Sequence, residues 1–190
     1  EIVRAAQRNR LGDDDPVPGL LTCADHRTQL KTFRRLRMSK VNAASLLALR
    51  HSFVTLCLDL DSSPSSPAEA ARVAHSGNCG NRWYHSSLQL VVFANAKACA
   101  VCNFSAYLDG NTMMRGAAEI QRRAIACPFH HGTEEDFVSL SPATELRWKV
   151  EKAAIQRARK DLASVLDNQQ ATFEIPDFGR AFCAAHGVAA

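Results

Sequence analysis

Two apolar runs, "SLQLVVFA" and "KACAVCNF", lie almost end to end in this chain with only Asn95-Ala96 between them. Short runs of this kind, bounded by turn residues, are strand-like, and the narrow spacer predicts a hairpin. Both runs are apolar at nearly every position, so the expected place for them is inside a sheet covered on both faces. A chain built around such a pair needs helices to do the covering.

The helical signals are distributed on either side. Glu1 to Gln7 reads as the end of a helix, followed by the acidic loop "GDDDPVPG". Thr22 is the expected N-cap of a helix from about Cys23 to Met38, and Asn42 of another from about Ala43. In "SSPSSPAEAARVAH", Ser66 should cap, Pro67 should open the helix and Glu69 should reach back as capping partner. Asn111 to about Ile125 carries Met113, Ala117, Ile120 and Ala124 on one stripe, with Arg115, Glu119 and Arg122 opposite. After the loop "IACPFHHGTEEDFVSLSP", a helix from about Glu151 to Asp167 should turn Val150, Ala154, Ala158, Leu162 and Val165 inward. "ATFEI" then reads as a short strand, and "DFGRAFCAAHG" as a turn that goes helical. Helices and strands alternate without a strict parallel rhythm, which predicts an α/β fold with a mixed sheet.

Composition agrees with a globular chain: 190 residues, 46% hydrophobic and 22% charged. No stretch of about 18 apolar residues exists, so no membrane-spanning helix is expected. The seven cysteines fall mostly inside apolar runs such as "TLCLDL", which predicts free, buried thiols in an intracellular, reducing compartment. The net charge of +4 is concentrated in "KTFRRLRMSK". No base-stacking platform accompanies Lys31, Arg34, Arg35, Arg37 and Lys40, so a solvated helix face is expected rather than a nucleic-acid surface. A chain that starts on Glu1 and closes on "HGVAA" reads as a processed product or a segment of something larger.

"GNRWYHSSLQLVVF", Gly80 to Phe93, resembles the strand approach G-N-R-W-[FY]-D-K-[ST]-L-Q of the choline/carnitine O-acyltransferase family. "GLLTCADHRTQ", "FVTLCLD", "ELRWKVEKAAIQRARKDL" and "DFGRAF" are similar to further family segments, in the same order and spacing. The resemblance covers essentially the whole chain and about a third of a family member. It implies part of a two-domain, chloramphenicol-acetyltransferase-like fold with the active site in a tunnel between the domains. Residues 1–140 would be the second half of one domain, with 141–190 starting its companion. It also implies acyl transfer between coenzyme A and a carnitine- or choline-like hydroxyl. The family's general base is the histidine of E-H-S-x-x-[DE]-G. A neutral imidazole can take the proton of the attacking hydroxyl or thiol and return it to the leaving group.

In "VCNFSAYLDGNTMMR" the candidates for chemistry are Asn103, Ser105, Tyr107 and Asp109. Aligned on the Asp109-Gly110 turn, the family histidine falls on Ser105, its glutamate on Phe104 and its serine on Ala106. No histidine lies between His85 and His130. An unassisted serine hydroxyl stays protonated near neutrality, and loss of a general base typically costs about 10²–10⁴ in rate. The expectation is a catalytically inactive relative, a structural or interaction subunit of a larger assembly. The alternative is an active acyltransferase with an atypical base or one from another segment. His85 replaces the family aspartate after R-W-Y, but some 20 residues separate it from the turn, and a strand running away from it would keep the two apart.

Of the family's cations near F-G-K, Arg180 retains one, while Ala184 and Ala185 replace others. Coenzyme A binding should therefore be weakened. Cys99-x-x-Cys102 has metal-ligand spacing but no second pair, and on a strand the two side chains point to opposite faces. Cys127, His130 and His131 add a loop cluster with nothing to complete a zinc site. No metal is expected. The expected partners are other chains of an assembly or the remainder of the fold, in a mitochondrial or cytoplasmic setting by analogy with the family.

Overall fold

The structure, a computed structural model, describes residues 17–103, 109–126, 144–165 and 179–187. A tight turn at Pro18–Thr22 leads into α1 (His26–Leu36) and α2 (Lys40–His51). Strand β1 (Thr55–Asp59) is followed by α3 (Pro67–Arg72), which widens into a π turn at Val73–Gly77. A short turn at Cys79–Asn81 precedes β2 (Leu88–Phe93) and β3 (Ala98–Cys102). Helices α4 (Gly110–Ala126), α5 (Lys152–Val165) and α6 (Arg180–Ala185) complete the described chain.

The three strands form one mixed sheet in the order β1-β2-β3, parallel between β1 and β2 and antiparallel between β2 and β3. The expected hairpin is present. Its tip closes through Phe93 N–H to the Lys97 carbonyl at 2.9 Å, with Ala96 at φ +60°. The expectation of two covered faces is corrected. Cys57, Val91 and Phe93 are buried against Ala70 and Ala74 of the α3 segment. On the opposite face, Leu56 is 51% and its register partner Leu90 39% exposed. An apolar run distinguishes a central strand from a polar-faced one, but it cannot say whether the cover lies within the same stretch of chain.

Helix starts also depart from expectation. Asp25, not Thr22, caps α1, accepting from the Arg27 and Thr28 amides at 2.9 and 3.2 Å. The Thr22 hydroxyl instead donates to the Gly19 carbonyl at 2.6 Å and closes the preceding turn. Asn42 lies inside α2, buried, and its amide exchanges two bonds with the Lys149 backbone at 2.8 and 2.7 Å. Ser66 caps α3 as expected, accepting from the Glu69 amide at 3.1 Å. The Glu69 carboxylate reaches back one residue further, to the Ser65 amide and hydroxyl.

A second core gathers Leu20, Leu21, Leu36, Cys79, Ile155 and Ala158. Ala158 faces inward as its periodicity predicted, with Ile155 beside it. Helix α4 forms where expected, but its apolar stripe is not buried among the described residues. Its Glu119 pairs with Arg122 and Arg123, both at 2.7 Å. The five cations of "KTFRRLRMSK" are all exposed, the solvated helix face expected of them. The segments read as a helix at 1–7, a loop before residue 142 and a strand at "ATFEI" fall wholly or mostly outside the described residues.

Candidate functional site

The segment from Gly80 to Gln89 is built as an anchor. Arg82 is buried and bonds the Asp59 carboxylate at 2.6 and 2.9 Å, while its Nε donates to the Ala74 carbonyl at 2.8 Å. Asn81 donates to the same carboxylate at 2.8 Å and to the Leu58 carbonyl at 3.0 Å. The Trp83 ring packs 5.8 Å from Phe33 and 5.7 Å from Trp148. Buried Gln89 accepts the Trp83 amide at 2.7 Å. Each of these residues satisfies a buried polar group or fills a gap between elements, which accounts for the motif as scaffolding.

The other end of the hairpin returns to this anchor. Leu88 pairs with Cys102, the Asn103 amide donates to the Ser87 carbonyl at 3.0 Å, and the Asn103 side chain donates to the Tyr84 carbonyl. This corrects, as far as Asn103, the course expected for the chain after His85. One strand does carry the chain away, but its antiparallel partner brings it back. The turn at residues 83–87 therefore borders the end of β3. The signal was present in the hairpin itself: two equal runs with a short spacer put their outer ends together.

His85 is oriented by its neighbours. The Gln29 side-chain nitrogen is committed to the Thr22 and Ala24 carbonyls at 3.0 and 2.6 Å, which turns Gln29 Oε1 toward His85 Nε2 at 2.9 Å. An acceptor at Nε2 places the proton there and leaves Nδ1 as the basic nitrogen of the neutral ring. The ring lies 4.8 Å from Phe33, and partial burial pushes its pKa below the ordinary histidine value. The contacts show a hydrogen-bonded histidine at the surface, with one nitrogen still basic.

Asp109 begins α4. Its carboxylate accepts the Thr112 amide at 2.7 Å, and this bond holds the carboxyl below the usual range. Its observed task is to cap a helix. Phe104, Ser105, Ala106 and Tyr107 lie outside the described residues. Arg180 opens α6, whose first turn also holds no acidic residue. Cys99 and Cys102 do fall on opposite faces of β3, paired with Val91 and Leu88. No cluster of three metal-ligating side chains occurs among the described residues, and Cys127, His130 and His131 lie outside them. The described thiols are unpaired; Cys57, Cys79 and Cys183 are buried, but Cys102 is exposed, against expectation. No helix among the described residues is long and apolar enough to cross a membrane.

A mixed three-stranded sheet with a following helix capped by Asp109 agrees with the α/β fold that the resemblance implied. All 190 residues match the Choline/Carnitine o-acyltransferase family, and the chain belongs to it. It is 25% identical over 195 aligned positions to choline O-acetyltransferase of Sus scrofa, covering 96% of this chain and 30% of that protein. It is 33% identical over 88 positions to carnitine O-acetyltransferase of Columba livia, covering 41% and 14%. It is also 29% identical over 182 positions to the highly reducing polyketide synthase ltbA of Aspergillus luteorubrus, covering 90% of this chain and 6% of that one. The chain thus spans under a third of each of these relatives.

Proposed function

We propose that this chain is a non-catalytic member of its family, a structural or interaction unit within a larger assembly of chloramphenicol-acetyltransferase-like architecture. The observation that carries the reading is the absence of any histidine between His85 and His130 in the sequence, across the whole strand-turn-helix region where the family keeps its base. Ser105 at the histidine position cannot replace it, and Asp109 is engaged as a helix cap. The exposed sheet face supports the assembly: Leu56 and Leu90 need a cover, from another chain or the remainder of the fold. The polyketide synthase relative, in which the matching stretch is a small part of a large protein, fits such a setting. On this reading the domain boundary falls near residue 140, the compartment is intracellular and reducing, and Arg180 alone gives coenzyme A a weak hold. Purified protein given acyl-coenzyme A with carnitine or choline should release no thiol above background. Turnover abolished by one point substitution would overturn the reading.

A second reading is favoured by the return of β3 to the 83–87 turn. His85, neutral and with Nδ1 basic, is the one imidazole that the described fold brings to this end of the hairpin. As a substitute base it would take the proton of a carnitine- or choline-like acceptor during acyl transfer from coenzyme A. Activity in the wild type lost in His85→Gln, with stability retained, would select this reading over the first.

A further inference from the structure

We propose that Cys23 and Cys79 form a peroxide-sensitive dithiol that closes to a disulfide between the Pro18–Thr22 turn and the Cys79–Asn81 turn. The site is independent of whether the chain transfers acyl groups. Cys23 immediately follows the first turn and Cys79 opens the second. The two turns meet at backbone contact: a methyl group on Gly19 would come within 2.5 Å of the Gly80 carbonyl oxygen and 2.3 Å of that of Arg82. Cys23 packs against the buried cluster that contains Cys79, and the two thiols perturb each other's ionisation. Both remain free, Cys79 buried at 7% exposure and Cys23 half-buried beside it, which gives a small oxidant its approach.

The surroundings distinguish the two sulfurs. The Tyr84 hydroxyl lies 3.4 Å from Cys79 Sγ and also bonds the His75 carbonyl. Its single proton can serve the carbonyl while the thiol is neutral and turn to the sulfur once that sulfur is ionised. The neighbouring Cys23 thiol, Tyr84 and the nearby Arg82 cation all favour the Cys79 thiolate, and its pKa is held below that of an ordinary cysteine. The neighbouring Cys79 sulfur and burial push Cys23 upward, so it stays protonated. Such asymmetry pairs an attacking thiolate with a resolving thiol.

The chemistry balances with hydrogen peroxide as oxidant. The Cys79 thiolate attacks the peroxide, an S–O bond forms, the O–O bond breaks, and hydroxide leaves to take up a proton. Cys23 sulfur then attacks the sulfenic sulfur, forming S–S and breaking S–O, and the departing hydroxide takes the Cys23 proton. Two thiols lose two electrons, one peroxide gains them, and two waters result.

Treatment of the full chain with hydrogen peroxide, followed by non-reducing trypsin digestion and mass spectrometry, tests this. A cross-link should join the peptides Leu11–Arg27 and Val73–Arg82. At neutral pH Cys79, its thiol held down at about 6, should alkylate at least roughly tenfold faster than Cys57, whose thiol burial pushes up. In Cys23→Ser, dimedone should trap the Cys79 sulfenic acid. In Tyr84→Phe, the pH midpoint of Cys79 alkylation should move up. Absence of the cross-link in the wild type, or its preference for any other cysteine pair, would overturn the proposal without recourse to a variant.

Discussion

The Arg82 guanidinium grips the Asp59 carboxylate with two bonds, Nη2 to Oδ2 at 2.6 Å and Nη1 to Oδ1 at 2.9 Å, and both side chains are sealed from solvent. The pair joins the end of β1 to the turn before β2, and the Ala74 and Val73 carbonyls take up further guanidinium bonds. Two ions removed from water are tolerated only when they are well paired and further hydrogen-bonded, as here. Removing one partner leaves the other charged and unanswered. Arg82→Met or Asp59→Ala should therefore destabilise by about 3–5 kcal/mol in urea unfolding. The double variant should recover part of that loss, since no orphan charge remains.

Asn42 ties α2 to residue 149, with 107 positions of chain between them, by donating to one backbone group of Lys149 and accepting from the other. Asn42→Ala breaks both bonds and leaves a peptide unit unsatisfied. A loss of about 1–3 kcal/mol is expected. Hydrogen exchange at the Lys149 amide should accelerate more than at amides of the sheet.

How much of this was legible in the sequence depends on the distance over which each determinant acts. The hairpin and the Ser66 cap are set by neighbours within a few residues, and each forms where it was read, whereas Asp109-Gly110, read as a turn, is the capped start of α4. Asn42 looked like a cap because its type suits one, yet its partner lies in a segment no local pattern points to. Thr22 lost its expected cap to Asp25 because a polar residue three positions later satisfied the helix amides. The candidate site was legible only in part: the missing imidazole is a fact of sequence, whereas the approach of β3 to the His85 turn is a fact of strand pairing. The nearness of Cys23 to Cys79 lay hidden because 55 residues lie between thiols that individually read as core.

Burial depresses the His85 pKa, so the folded protein binds a proton there less readily than the unfolded chain. Stability from this group is complete above the unfolded value of about 6.5 and falls as pH drops through the lower folded value. Thermal unfolding followed from pH 7.5 to 5 should show that decline. His85→Gln should flatten it in this window while leaving stability at pH 7.5 little changed.

The uncovered sheet face should make the isolated chain self-associate. Leu90→Lys with Leu56→Glu places opposite charges on register partners at the surface. Sedimentation should then show less association, with the unfolding midpoint nearly unchanged. A wild-type chain that sediments as a single stable monomer at high concentration would remove the argument for a missing cover.

Asn103 is hung from two fixed carbonyls, those of Tyr84 and Ser87, so the chain beyond it departs from a peg that owes nothing to the residues it carries. Substitutions at later positions leave those two bonds in place. That is the circumstance in which a catalyst can lapse while its framework endures, and in which reinstalling an imidazole would need no redesign of the support.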